Sequence, residues 1–136
     1  MNLKSQVSVE YMFIMGFVTL MIIPLLLIYY TYSAETTDSV ATSQALQIAR
    51  KIVDSSESVY YIGKPSQTTL KVNFPDKIYS TNLSSKEVVF KIKTKNGITD
   101  IVQVSSVNMS GSLPITQGIH IITVKAEDGY VKITSN

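Results

Sequence analysis

The stretch YMFIMGFVTLMIIPLLLIYYTY, residues 11–32, decides the fold of the N-terminal part of the chain because it contains no charged side chain. Twenty-two helical residues at about 1.5 Å each extend roughly 33 Å, which matches the hydrocarbon thickness of a bilayer. Aromatic side chains stand at both ends of the stretch, as is typical of membrane interfaces. The stretch therefore predicts a membrane-spanning helix. A secretory signal peptide is disfavoured, because its apolar part would be shorter.

The composition excludes several classes of protein. The net charge of the 136 residues is +2, and only 16% of them are charged, without any basic block, so nucleic acid is not an expected partner. The chain has no cysteine and one histidine, which removes disulfides, thiolate catalysis and most metal clusters. The C-terminal part offers no paired acids and no nucleophile constellation. We therefore expect neither an enzyme nor a cofactor.

Helical periodicity resumes after the polar stretch SAETTDS, residues 33–39. Residues recurring at i, i+1, i+4 and i+5 predict one stripe of an amphipathic helix: Val40, Ala41, Gln44, Ala45, Ile48, Ala49, Ile52 and Val53. The charged and polar residues fall mostly elsewhere: Asp38, Thr42, Gln47, Arg50, Lys51, Asp54 and Glu57. The helix is expected to end near Tyr60, before Gly63 and Pro65.

From Thr68 onwards the pattern changes to that of β-strands. Short runs rich in Val, Ile, Thr and aromatic residues, separated by turn residues, fall at about 68–74, 77–80, 86–94, 98–107, 119–126 and 130–134. Asp128-Gly129 predicts a two-residue hairpin turn that would pair Ala126 with Val131. The predicted fold class is therefore α+β: a long N-terminal hydrophobic α-helix followed by a small antiparallel β-sheet or sandwich that covers the helix stripe.

Asn96-Gly97 marks another hairpin, but its register stays open. A two-residue loop at this dipeptide would set Phe90 opposite Gln103. A register one residue longer would set Phe90 opposite Val104, which buries more apolar surface.

Glu10 stands at the beginning of the apolar segment and is the last charged residue before Glu35. In one interpretation its carboxylate lies at the water interface and favours the helix dipole by about 0.3–1 kcal/mol. In the other, the chain is cut before Gln6, and Glu10 lies one helical turn from the new amino terminus. Among the apolar helices of neighbouring subunits, a carboxylate and an amine would strongly favour pairing across a subunit contact. Such a pair would specify the axial register of the subunits.

The stretch KSQVSVEY, residues 4–11, followed by the apolar run, resembles the class III signal peptide of archaeal type IV pilin-like proteins. That pattern is a short basic leader followed by Gln-x-Ser-x-Glu-aromatic. It is matched here by Lys4 in the leader and then by Gln6, Ser8, Glu10 and Tyr11. Members of the family often carry Gly before the scissile bond, where this chain has Ser5. Ser5 is also small and should fit the peptidase pocket.

The resemblance implies a structural subunit. A prepilin peptidase would cut between Ser5 and Gln6, and a pilus assembly ATPase with its membrane platform would build the membrane-anchored subunits into an extracellular adhesive filament, a helical homopolymer. Gly16 would be a close-packing point. Pro24 would help the helix follow the filament core, or would be a harmless break. The domains would be a leader (1–5), a long helix (6–62, apolar over 6–33 and amphipathic over 34–62) and a globular β domain (63–136).

Two rivals stay open. A single-pass membrane-anchored surface binding protein that does not polymerise would have no use for a cut before Gln6 or for Glu10. A subunit of an archaellum-type filament would share the leader, but we would expect a Gly-rich start to its mature helix.

Three further features carry weaker signals. Asn82 and Asn108 begin Asn-x-Ser triplets in predicted loops or strand ends, and are candidates for N-glycosylation. His120, which lies within a predicted strand, is interpreted as a surface or cross-strand histidine instead of a catalytic base. A lysine cluster on one hairpin is expected to form a solvated edge that resists aggregation, with binding to anionic surfaces as the alternative: Lys86, Lys91, Lys93 and Lys95.

Overall fold

The computed structural model describes the backbone of residues 3–136 and the side chains of residues 7–136. Within the described residues, one helix is followed by seven strands: α1 (Leu3–Ile62), β1 (Gln67–Phe74), β2 (Ile78–Ser84), β3 (Glu87–Thr94), β4 (Gly97–Val104), β5 (Met109–Gly111), β6 (Gly118–Glu127) and β7 (Tyr130–Ser135). The predicted fold class is confirmed. A long apolar helix followed by β-sheets is the α+β arrangement of the type IV pilin-like fold.

The chain divides into two compact units at the boundary between Thr37 and Asp38. The first unit is the apolar half of α1, and the second unit, Asp38–Asn136, combines the amphipathic half of α1 with all seven strands. The helix therefore contributes to both units.

The amphipathic half of α1 buries most of the predicted stripe: Ala41, Ala45, Ile48, Ala49, Ile52 and Val53 are all buried. The prediction was wrong for Val40, which is 50% exposed, and the buried face extends further to Val59. The helix ends at Ile62, which is the end of the predicted helical range 6–62 and lies two residues beyond the estimate of about Tyr60. There Gly63 adopts a φ of +83°, and its N–H donates to the Val59 carbonyl oxygen at 3.1 Å, so glycine caps the helix in the left-handed conformation.

The strands form two sheets, with strand orders β1-β6-β7-β5 and β2-β3-β4. The rings of Phe74 and Phe90, one from each sheet, have centroids 5.8 Å apart, and the inner faces of both sheets share one core with the amphipathic half of α1. β5 was not predicted. It pairs with β7 in parallel, Met109 opposite Val131, so the larger sheet is mixed and not antiparallel throughout.

The hairpin predicted at Asp128-Gly129 is confirmed. Glu127 lies opposite Tyr130 and Ala126 opposite Val131, which leaves the dipeptide as the two-residue loop. The turn therefore aligns the buried side chains of β6 and β7 on one face of the sheet.

Both registers considered for the β3–β4 hairpin are wrong. Phe90 lies opposite Ile101, and Thr94 lies opposite Gly97, so the loop is Lys95-Asn96. Gly97 has a φ of +129°, a conformation that favours glycine, and occupies the first position of β4 instead of the loop. Ile101 alone on this strand is buried, and the neighbouring aliphatic side chains turn outward.

Candidate functional site

The apolar half of α1 presents large hydrophobic side chains on all its sides. Between residues 7 and 32 the exposed fraction of these side chains runs from 43% for Val18 to 75% for Phe13. The helix is long and apolar enough to cross a membrane, and it lies near the N-terminus. It is therefore compatible with a membrane anchor or a signal sequence.

Glu10 is exposed and lies at the beginning of this apolar surface. Four residues separate it from Gln6 along the continuous helix, a rise of about 6 Å. The side chains of Ser5 and Gln6 lie outside the described residues, and so does that of Lys4. The predicted cleavage site therefore stays a prediction.

Gly16 and Pro24 line the same groove on the surface of α1, together with Thr19 and Leu20. A Cβ atom at Gly16 would meet no atom within 4 Å, so the glycine leaves a hollow open to another molecule. Proline has no N–H to donate to the Leu20 carbonyl oxygen, yet α1 continues through Pro24. The Thr19 hydroxyl donates to the Met15 carbonyl oxygen at 2.8 Å and is satisfied within the helix.

The two candidate glycosylation residues are both exposed. Asn82 lies within β2, opposite Val89, and not in a loop or at a strand end as predicted. Asn108 immediately precedes β5, and its backbone carbonyl oxygen accepts a hydrogen bond from the Val131 N–H at 2.8 Å. Both side-chain amides can therefore be reached from solvent.

His120 lies on β6 opposite Val72 and is partly buried. Its ring meets that of Phe74 edge to face, with centroids 5.3 Å apart, and its Nε2 lies 2.8 Å from the Thr116 carbonyl oxygen. These contacts give the side chain a packing role across the strands. Among the described residues, no three His, Asp or Glu side chains form a group that could hold a metal ion.

Asp38 was not among the predicted site residues, although its carboxylate on α1 binds two of the loops that connect the strands. One carboxylate oxygen accepts a hydrogen bond from Lys77 Nζ at 2.7 Å, and the other accepts one from the Lys95 backbone N–H at 2.8 Å. The Asp38 side chain is only 16% exposed. The hydrogen bond from Lys77 and then that from Lys95 lower the pKa of Asp38 below its ordinary value.

Glu57 makes the second such contact near the other end of the amphipathic half. Its Oε1 accepts hydrogen bonds from both the backbone N–H and the hydroxyl of Ser106, each at 2.8 Å. These bonds, the backbone one foremost, lower the pKa of Glu57. They hold the chain in a bend after Val104, which explains why β4 ends earlier than predicted. No local sequence pattern identifies either carboxylate, because both lie outside the apolar stripe.

The lysine cluster does not protect a sheet edge, and that expectation was wrong. Lys91 and Lys93 lie on β3, the middle strand of its sheet, while Lys86 and Lys95 lie in the turns at its ends. Lys91 Nζ is 3.7 Å from a carboxylate oxygen of Asp100 on β4. The edge strand β4 itself carries no lysine.

The fold and the exposed helix together define a class of architecture, the type IV pilin-like arrangement of an apolar helix followed by β-sheets. One helix of this architecture can span a membrane by its length and composition. No protein-family model, curated protein or solved structure matches the chain.

Proposed function

We propose that this chain is a pilin, the structural subunit of an archaeal type IV-like adhesive pilus that polymerises through its apolar N-terminal helix. The observation that carries the proposal is the surface of residues 7–32, which is apolar on every side, has no buried large side chain and carries one carboxylate, Glu10, near its start. A helix that is apolar all round must be covered. Lipid would cover it before assembly, and the helices of other subunits would cover it in the filament.

Processing would create a positive charge that can pair with the Glu10 carboxylate. Removal of residues 1–5 by a prepilin peptidase would leave Gln6 with a positively charged amino group. In lipid the carboxylate and the amine are each costly to bury, whereas in a filament the amine of one subunit would lie beside Glu10 of its neighbour. Because the pair satisfies both charges in one relative position of two helices, it would set the axial register.

Packing would supply the remaining specificity. Exchanging lipid for helix contacts gains little from hydrophobicity, so close approach between helices matters more. The hollow at Gly16 offers such an approach, and the groove that it shares with Pro24 is open in the single chain. An assembly ATPase and its membrane platform would drive this exchange, leaving Asp38–Asn136 on the outside of the filament.

The test of processing and polymerisation is the N-terminal residue and mass of material sheared from the cell surface. We expect filaments whose subunits begin at Gln6. A chain that still carries residues 1–5 and is found only in the membrane fraction would contradict the proposal, and would indicate an anchored surface protein that does not polymerise.

The role of Glu10 is tested by Glu10→Gln. We expect membrane insertion to be unchanged and the filament yield to fall strongly, because an amide cannot neutralise the amino terminus of a neighbour. Glu35→Gln is the matched control, since Glu35 is an exposed carboxylate on the same helix beyond the apolar segment. Equal filament yields from the two variants would refute the role of Glu10.

A further inference from the structure

In the described chain, three of the four edge strands carry a feature that hinders further strand pairing. β5 has only three residues. β2 has an irregular register between Ile78 and Ser80. β1 presents Lys71 beside α1, whose Lys51 lines the same groove. β4 has none of these features along its length: its eight residues pair with β3 in unbroken register and include neither lysine nor proline, and the nearby hydrogen bonds of α1 go to Lys95 and Ser106, which lie beyond its two ends.

The backbone of β4 turns half of its polar groups away from β3. The Ser105 N–H donates to the Lys86 carbonyl oxygen at 2.7 Å, which makes these two residues a hydrogen-bonded pair at the end of the β3–β4 ladder. Hydrogen-bonded and non-hydrogen-bonded pairs alternate along an antiparallel ladder. The residues that direct their N–H and C=O groups to the free edge are therefore Ile98, Asp100, Val102 and Val104.

The side chains of these same residues lie on the outer face of the sheet. Ile98 is 55% exposed, Val102 48% and Val104 65%. The single charge among them, Asp100, lies 3.7 Å from Lys91 Nζ on the neighbouring strand. Unpaired backbone groups beside exposed aliphatic side chains form a template for another strand.

We propose that β4 is a self-association edge, at which β4 of a second copy of this chain pairs antiparallel with it. In the register that uses all four outward residues, Ile98 lies opposite Val104 of the other copy, and Asp100 lies opposite Val102. A shift of one residue would turn the wrong backbone groups to the contact. A shift of two residues in one direction would set the two Asp100 carboxylates against each other, and in the other direction it would leave Ile98 without a partner.

The charges around this contact do not oppose the pairing. In the chosen register, Glu87 and Val104 of one copy lie in the same cross-strand row as Ile98 and Lys93 of the second copy. Each Asp100 keeps its own Lys91. No like charges lie opposite each other, and the exposed aliphatic side chains of both copies join in one band.

The symmetry of the contact determines where it would act. Two antiparallel copies of one strand are related by a two-fold axis, whereas successive subunits of a polar filament are related by a rotation and a translation. The β4–β4 contact would therefore join subunits of two different filaments side by side. This last step rests on the proposed function, but the pairing of the two strands does not.

Cysteine cross-linking of the full chain in detergent micelles tests the pairing, and the chain has no cysteine of its own to interfere. Ile98→Cys and Val104→Cys variants are purified separately, mixed and oxidised. Opposed Cα atoms of a hydrogen-bonded pair lie about 5.5 Å apart, within disulfide range. We expect the mixture to form a disulfide-linked dimer to a much greater extent than either variant alone.

The matched control mixes Val104→Cys with Ile121→Cys, because Ile121 is a 46% exposed residue of β6, which is not an edge strand. This mixture measures the cross-linking that arises merely from sharing a micelle. The β4–β4 contact is overturned if the Ile98 and Val104 mixture gives no more dimer than this control.

Electron microscopy of sheared filaments tests the lateral role. Val102→Lys should leave the filament yield unchanged and abolish side-by-side bundles, while Ile121→Lys, at an equally exposed position, should retain them. Bundling of the Val102→Lys filaments at the level of the unaltered chain would overturn the lateral role. If even the unaltered chain forms no filaments, the proposed function fails, and the cross-linking result still decides whether β4 pairs with β4.

Discussion

The two halves of α1 place their apolar residues in opposite environments. Over residues 7–32, all large apolar side chains are exposed. Over residues 41–59, one face is buried, and Ala45, Ala49 and Ile52 have no exposed surface at all. The hydrogen-bonded helix is continuous through both halves, so backbone conformation does not distinguish them.

The difference shows that the arrangement of apolar residues around a helix determines how many of its sides must be covered. A stripe needs one covering layer, which the two sheets provide within the same chain. A surface that is apolar all round needs cover on every side, which must come from lipid or from other molecules. The amphipathic half therefore completes a folded unit, while the apolar half requires an environment outside the chain.

The sharpest test of this contrast is a pair of truncations, one in each half. Ile52→Ala should lower the free energy of unfolding of Asp38–Asn136 by about 2–5 kcal/mol, because it removes a fully buried side chain and leaves a cavity in the shared core. Urea denaturation of the full chain in detergent micelles, followed by circular dichroism of the strands, measures the change.

Leu20→Ala is the control for this truncation, since Leu20 is 68% exposed. The same denaturation curve should be unchanged, because no contact of the strands is lost. A comparable destabilisation by both variants would contradict this prediction, because it would show that the apolar half contributes to the stability of the folded unit.

Much of this organisation could be predicted from the sequence because its signals are local. An uncharged run of helix length and a stripe that repeats with the helical period are each visible within a short window, as is the Asp128-Gly129 turn. The same holds for the candidate site, where Glu10, Gly16 and Pro24 can be recognised without knowing any contact. The positions of these three residues in a filament stay predictions.

The remaining features depend on contacts between distant parts of the chain. Nothing local distinguishes Ile101, which is buried, from Ile98 and Val102 on the same strand, so the β3–β4 register was predicted wrongly. β5 is too short for a periodic signal and pairs with a strand that lies beyond β6. Asp38 and Glu57 likewise gain their roles from partners far along the chain.

The polar anchors of the amphipathic half provide a second, smaller test. Glu57→Ala should destabilise Asp38–Asn136 by about 1 kcal/mol, because it removes two charge-assisted hydrogen bonds to Ser106 at a partly exposed position. Asp54→Ala is the control, as Asp54 is an exposed carboxylate on the same helix. Equal denaturation midpoints for the two variants would contradict an anchoring role for Glu57.

Acid should weaken the same contacts. Asp38 and Glu57 have pKa values below their ordinary values of 3.8 and 4.5, so the folded chain binds fewer protons at these groups than the unfolded chain does. Their contribution to stability is complete above those ordinary values and is lost as the pH falls through the lowered folded values. Urea denaturation measured across this acidic range should show that the free energy of unfolding falls less with decreasing pH for the Asp38→Asn and Glu57→Gln double variant than for the unaltered chain. An equal fall in the two proteins would contradict the assignment of acid sensitivity to these two carboxylates.

The smallest expected effect concerns the boundary between the two halves. The Thr36 hydroxyl donates to the Tyr32 carbonyl oxygen at 2.9 Å, an exposed side-chain bond that competes with the helix backbone without burying any surface. Alanine has the higher helix propensity by about 0.5 kcal/mol, so Thr36→Ala should slow local amide hydrogen exchange about two-fold. Ser43→Ala, at an exposed position inside the packed half, controls for a general gain in helicity. Slower amide exchange in Thr36→Ala but not in Ser43→Ala would show that α1 is locally less stable near Thr36 than in its packed half. Equal slowing in both variants would show that packing against the sheets adds nothing to the local stability of the helix.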